Sequence, residues 1–413
     1  MLAWDFVRDR WDYLYNTYGK GVFSFTNLIS GLTQSFNKET QLKQLHQFLE
    51  EHPDMGTGNR AFRMAIETTE SNIRWMADNQ KTVSDWLKKV GVTSASRVKD
   101  VRLPTHPVPD VYDIVLQPNM YDGEPDDLNF EGYVKIHMTA KEAGKNVTLH
   151  ANKLTILESS IRFGSDDGGN TGPSYTGVHV PDKARQFEVF FLDSALVPGR
   201  AYFIELNFTG PLTGDLAGLY LSQYERGNQT VYIATSQMEA TDARKAFPCF
   251  DEPAIKAAFN VKLVRKSHMK SISNMPIISN YTLNNGMVVD VFNNSAKMST
   301  YLLALIVCDF DYIENKTKSG ITYRSWARPE YINQAKVALE AGVKIITYYE
   351  DYFGAQFPLP KQDMIAIPDF AAGAMENWGL ITYRETAMLY EPGVSSEANL
   401  QRVNVVIAHE LAH

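Results

Sequence analysis

Two histidines and a glutamate near the C-terminal end carry the first chemical signal, His409, Glu410 and His413 in the run HELAH. On a helix, residues four apart lie one above the other, so both imidazoles can reach one metal ion. Glu410, beside the first of them, is placed to hold a metal-bound water and take its proton. The chemistry implied is metal-assisted hydrolysis. HExxH arises by chance in roughly one such sequence in a hundred, so its surroundings decide what it means.

The surroundings are specific. The segment GAMENWG begins at Gly373, 36 positions before His409 (409 − 373), after a strand and a Pro-Asp-Phe-Ala-Ala turn. A second segment, TSQMEATDARKAFPCFDEPAIKAAF, runs from Thr235 to Phe259. GAMENWG followed by HELAH at this spacing resembles the aminopeptidase N family of zinc exopeptidases, and the Thr235 segment matches that family almost residue for residue.

The resemblance implies a Zn2+ ion held by His409 and His413 with Glu410 as the catalytic base. It implies that Gly373, Ala374 and Glu376 bind the substrate backbone and α-amino group on an edge strand. It also implies that Gln237 lines the pocket for the first side chain and that Glu239 is the second carboxylate on the amine. A carboxylate fixed at that end of a cleft holds an ammonium, so only a chain terminus is read and one residue is removed. The expected partners are peptides with a free N-terminus, and the likeness is compatible with a homodimer in the parent protein. Arg244, Asp251 and Glu252 are read instead as structural ion pairing.

Stepping along the chain, three patterns follow one another. Residues 1–92 have apolar positions at three and four, as in Trp4, Val7, Trp11, Leu14 and Tyr18, and are expected to form an array of α-helical hairpins. Their runs AWDFVRDRWDYLYNTYG and NIRWMADNQKTVSDWL resemble the closing helices of the same family's C-terminal domain. Residues 93–308 change to a period of two, as in Tyr112, Ile114 and Leu116, which predicts an antiparallel β-sandwich. Residues 309–413 mix strands with helices over about Pro329 to Phe353 and from Ser396 onward, as expected for the first part of a thermolysin-like α/β catalytic domain. The fold class is thus multidomain, α and β. Tail precedes head relative to the family order, which points to tandem units, a joined gene model or, less simply, a permutation.

A catalytic zinc site needs a third protein ligand, in this family a glutamate on the next helix, and an oxyanion tyrosine. Both are expected beyond His413, so the chain by itself is expected to be inactive. An endopeptidase of the thermolysin type shares HExxH, but Glu239 and Glu376 would then face a mid-chain peptide unpaired. The alternative from another class is a non-catalytic, surface-displayed binding protein, against which the intact HELAH and GAMENWG argue.

Composition bounds the rest. The hydrophobic fraction of 44% against 21% charged is that of a folded chain, and a net charge of −8 offers no basic face for nucleic acid. The longest apolar run, Tyr301 to Cys308, falls well short of the roughly 20 residues a membrane span needs, and neither a span nor a signal peptide is expected in these residues. Cys249 and Cys308 are expected to be buried thiols. Six N-x-S/T sequons, at Asn146, Asn207, Asn228, Asn280, Asn293 and Asn315, together with the family likeness, suggest an extracellular or cell-surface, membrane-anchored parent.

Overall fold

In the strand Pro107–Asn119, Tyr112, Ile114 and Leu116 are buried while the residues between them are partly open, the alternation a half-buried strand requires. A bulge between Pro109 and Val111 shifts the register, so the proline-rich start runs in the opposite phase. The computed structural model describes residues 101–121, 127–166 and 172–413. The helical hairpins expected over 1–92 lie outside the described residues.

The described residues of the β region form three sheets. The largest has eight strands and runs from the edge strand Ile277–Thr282 through Val288–Phe292, Ala258–Arg265, Pro107–Asn119 and Asn129–Ala140 to Ala201–Pro211, with which the short strands Thr155–Ile156 and Arg162–Ser165 both pair. A four-stranded sheet, in the order Lys270–Ser273, Leu305–Cys308, Gln229–Gln237 and Gly218–Arg226, faces the same core. A third sheet of three short strands, Asn146–His150, Phe187–Leu192 and Tyr175–Asp182, extends it. The pairing is antiparallel except between Pro107–Asn119 and Ala258–Arg265, which run parallel.

The following segment is a five-stranded mixed sheet covered by helices. Its order is Asp311–Lys316, Thr322–Ala327, Lys361–Ile367, Leu380–Arg384 and, at the edge, Ala374–Met375. The central strand Lys361–Ile367 is buried at every position, as a strand covered on both faces must be. Ile365 and Ile367 point into the core shared with the β region. Met364 and Ala366 point into a second core under the helices.

The helix expected from Pro329 opens as a 3-10 segment, Pro329–Ala335, and becomes α-helical over Lys336–Phe353, ending at Gly354 with φ +64°. The last helix, Glu397–Ala412, starts where the sequence places it. Ser396 caps it by accepting from the Asn399 amide at 3.2 Å.

Candidate active site

The last helix buries Val403, Ile407 and Glu410, a stripe spaced four and three. That spacing turns the Glu410 carboxyl inward and leaves His409 and His413 on the exposed face. The helix is held by Tyr349, whose hydroxyl donates to the Ala408 carbonyl at 2.8 Å, and by Asn399, whose amide donates to the Thr386 carbonyl at 3.0 Å. His409 Nε2 and His413 Nε2 stand 3.2 Å apart, with the rings at 71°. Two neutral imidazoles so placed either share one proton or aim both lone pairs at a common cation.

The edge strand Ala374–Met375 comes against this helix. Ala374 pairs with Tyr383 and Met375 with Thr382, and the Arg384 amide donates to the Gly373 carbonyl at 3.0 Å. The outer side of this strand is unpaired among the described residues, so its backbone can accept an extended peptide as a further strand. The Arg384 guanidinium fixes the approach to it by donating to the carbonyls of Phe370 and Ala371. Glu376 leaves the strand half-buried, with Oε1 3.9 Å from His413 Nδ1.

From the β region, the strand Gln229–Gln237 ends beside the same place. Gln237 Oε1 is buried without a hydrogen-bond partner among the described residues. Glu239, two residues on, has its carboxyl pushed up by burial and then by the charge of Glu376, with His413 opposing. Glu410 is pushed up to about 7, chiefly by burial and then by the charges of Glu376 and Glu239. Its Oε2 has no partner among the described residues. Three carboxyl groups therefore feel one another beside the two histidines, an arrangement that favours a cation among them.

Among the residues read from the sequence, Glu239, Glu376, Glu410 and His413 feel one another's charge and His409 stands against His413, while Gly373 and Ala374 lie on the strand leading to Glu376 and Gln237 on the strand leading to Glu239. Two further side chains belong to the same neighbourhood. Tyr301 has its hydroxyl raised by burial and by Glu376 and Glu239, and Tyr383 by burial, Tyr323 and Glu410. Tyr301 opens the apolar run Tyr301 to Cys308, which reads in the sequence only as too short for a membrane span, and nothing in its spacing sets it apart. The residues read as structural keep that role: Arg244 pairs with Asp251 at 2.9 Å and Glu252 with Arg102 at 3.2 Å. Cys249 and Cys308 are buried and free.

These donors suit a zinc ion in part. Two converging imidazoles and an inward carboxylate with an unpartnered oxygen fit two protein ligands and a base. Among the described residues no group of three or more His, Cys, Asp or Glu side chains is placed to hold a metal.

Comparisons with known proteins identify the family. The peptidase M1 N-terminal domain model matches residues 108–302, and the peptidase family M1 domain model matches residues 337–413. The chain belongs to the M1 peptidase family. The ERAP1-like C-terminal domain model matches residues 1–71, ahead of the other two. Aminopeptidase Ey of Gallus gallus is 44% identical over 322 residues, which is 76% of this chain and 33% of that protein. Aminopeptidase N of Homo sapiens is 40% identical over 323 residues, with the same shares of 76% and 33%. Endoplasmic reticulum aminopeptidase 1 of Homo sapiens is 39% identical over 315 residues, 76% of this chain and 32% of its own. The chain thus spans about a third of the length of the curated relatives it matches. No helix of the described residues is long and apolar enough to cross a membrane.

Proposed function

We propose that this chain supplies the substrate-binding half of a zinc aminopeptidase that removes N-terminal residues from peptides. The observation that carries the reading is the gathering of Glu239 and Glu376 beside the paired imidazoles of His409 and His413. A pair of carboxylates there neutralises and orients one ammonium, the group that distinguishes a chain end from a mid-chain peptide.

In this reading the edge strand Ala374–Met375, with Gly373, aligns the substrate backbone by main-chain hydrogen bonds, and Gln237 meets the first side chain. His409 and His413 would hold the zinc, which when bound polarises the scissile carbonyl and lowers the pKa of water. Glu410 takes a proton from the attacking water and hands it to the leaving amine. The burial that lifts its carboxyl to about 7 suits a group that must both accept and release a proton near neutral pH. The two imidazoles fall one short of the three protein ligands of a catalytic zinc site, so a polypeptide of these 413 residues is proposed to turn over substrate weakly or not at all.

The reading extends to location. Asn207, Asn228, Asn280, Asn293 and Asn315 are exposed, which suits glycosylation in a secretory or cell-surface setting. Asn146 is half-buried and its carboxamide oxygen meets His106 and Thr148, which suits it less.

The test compares an alanyl or leucyl reporter amide with its N-acetylated form, with and without a chelator, on protein in which a third zinc donor accompanies these residues. Release from the free amine only, abolished by chelation and restored by zinc, is the expected result. Equal cleavage of the acetylated reporter would sink the amine-binding reading.

A further inference from the structure

The two carboxylates proposed to hold the amine sit on segments 137 residues apart in sequence (376 − 239), and one buried amide stands between those segments. Asn274 follows the strand Lys270–Ser273 and is 3% exposed. Its Nδ2 donates to the Leu302 carbonyl at 2.7 Å and to the Trp378 carbonyl at 2.9 Å, and its Oδ1 accepts from the Ala304 amide at 2.9 Å. Both N–H groups are thereby used, one toward the β region and one toward the residues that follow Glu376.

The same joint is closed from beneath by Lys361, 4% exposed. Its ammonium donates to the Ser273 carbonyl at 2.7 Å, to the Gly379 carbonyl at 2.7 Å and to Asp363 at 2.6 Å, which uses all three protons. Gly379 has φ +79°, and a Cβ on it would stand 2.3 Å from the Asn274 carbonyl oxygen, so only glycine lets the two backbones approach. On the Glu239 side, the Leu305 amide donates to Ser236 Oγ at 2.9 Å, and Ser236 lies three residues before Glu239. An unbroken set of buried hydrogen bonds thus joins Ser236, the 302–305 turn, Asn274 and the 378–379 turn. Tyr301, which feels both carboxylates, rides on the middle of it.

We propose that Asn274 is a positioning residue that sets Glu376 and Tyr301 in register with Glu239, and so fixes the width of the amine-binding end of the cleft. The proposal rests on the aminopeptidase reading of the site. Ordinary packing between two regions needs apolar contact and no particular register. A side chain whose donors are divided between the residues that follow Glu376 and the 302–305 turn, which is itself bonded to Ser236 on the Glu239 segment, and whose acceptor is filled by the Ala304 amide, specifies a register. Because Asn274 touches neither the histidines nor Glu410, its loss acts on recognition of the amine and leaves the hydrolytic centre in place.

The experiment uses Asn274→Ala and the isosteric Asn274→Asp, which loses both donors while keeping the volume. Hydrogen exchange of the 374–380 amides reads the joint directly and needs no activity. At least a tenfold loss of protection there is expected, with the 403–410 amides unchanged. In the active enzyme, KM for a free-amine reporter is expected to rise at least tenfold, with kcat and the affinity for acetohydroxamate, which has no amine, within twofold of wild type. Unchanged exchange at 374–380 in both variants overturns the proposal whatever the kinetics. A parallel weakening of KM, kcat and hydroxamate binding overturns it in favour of a purely structural role. A wild-type enzyme that cleaves acetylated reporters equally well would count against the aminopeptidase reading, and the exchange measurement would still decide the joint.

Discussion

His409 Nε2 and His413 Nε2 approach to 3.2 Å on the exposed side of a helix, and Glu410, one residue from the first and three from the second, turns toward the buried side of the same helix. The separation follows from residues four apart on one helix, and the inward turn of Glu410 follows from the Val403 and Ile407 stripe. One helical turn thus holds the two imidazoles out and the carboxyl in while keeping all three adjacent.

The donor set predicts the metal affinity of the 413-residue polypeptide. Two imidazoles from one helix turn hold zinc less tightly than the three ligands of a catalytic site. Chelator competition is expected to give weak binding, with a Kd no tighter than micromolar, and His413→Ala is expected to remove what remains. Stoichiometric binding at nanomolar zinc would require a third donor from these residues and would overturn this expectation.

Glu376 and Glu410 are predicted to fail in different ways in the active enzyme. Glu376→Ala removes a charge-assisted contact to the amine, about 1.5–3 kcal/mol, and should lower kcat/KM for free-amine reporters by about ten- to a hundredfold. Zinc content should stay the same, since its carboxylate is not among the proposed ligands. Glu410→Gln keeps the shape but cannot accept the proton, and should lower kcat by about a hundred- to ten-thousandfold with zinc retained. Zinc lost from Glu410→Gln would reassign that carboxylate.

Much of this site was legible because its signals are local. The cap at Ser396, the stripe ending in Glu410 and the edge strand after the Pro368 turn are each written within about ten residues of sequence. The Asn274 joint was not legible, because its partners Leu302 and Trp378 lie 28 and 104 residues away and an asparagine after a strand reads as an ordinary turn residue. The parallel pairing of Pro107–Asn119 with Ala258–Arg265 was hidden for the same reason. Alternation tells which face of a strand is buried and says nothing about which neighbour it finds.

Histidines in the β region predict opposing pH effects on stability. His150 is 2% exposed, and burial and then the charge of Arg244 lower its pKa to about 3. The unfolded chain therefore binds a proton that the folded one refuses between pH 6.5 and 3, and stability falls on acidification through that window, by at most about 1.4 kcal/mol per pH unit. His179 is raised by its hydrogen bond to Glu188, against burial, with Glu158 assisting. Its contribution is complete below about pH 6.5 and is lost as pH rises through the folded value. Denaturant titrations should find the acid limb flattened in His150→Phe and the loss above pH 6.5 reduced in Glu188→Gln. A wild-type acid limb persisting unchanged in His150→Phe would place the titrating group elsewhere.

The most damaging single change in the β region should be at Arg244. Its Nε donates to Asp251 Oδ2 at 2.9 Å, its Nη2 to the Asp251 carbonyl at 3.1 Å and its Nη1 to Gln186 at 3.0 Å. Asp251 is 2% exposed and its other oxygen accepts from Thr300 Oγ1 at 2.7 Å. Removing the guanidinium leaves that carboxylate buried with its countercharge gone, which costs about 3–5 kcal/mol. Removing both charges leaves no such uncompensated charge, so Arg244→Met with Asp251→Leu should be less destabilised than Arg244→Met alone. Thr300 precedes Tyr301 directly, so the single variant is also expected to loosen the turn that carries Tyr301 toward Glu239 and Glu376. Urea unfolding of the three proteins checks the order. A double variant as unstable as the single one, or less stable, would mean that the pair contributes net stability and that the loss does not come from the stranded carboxylate.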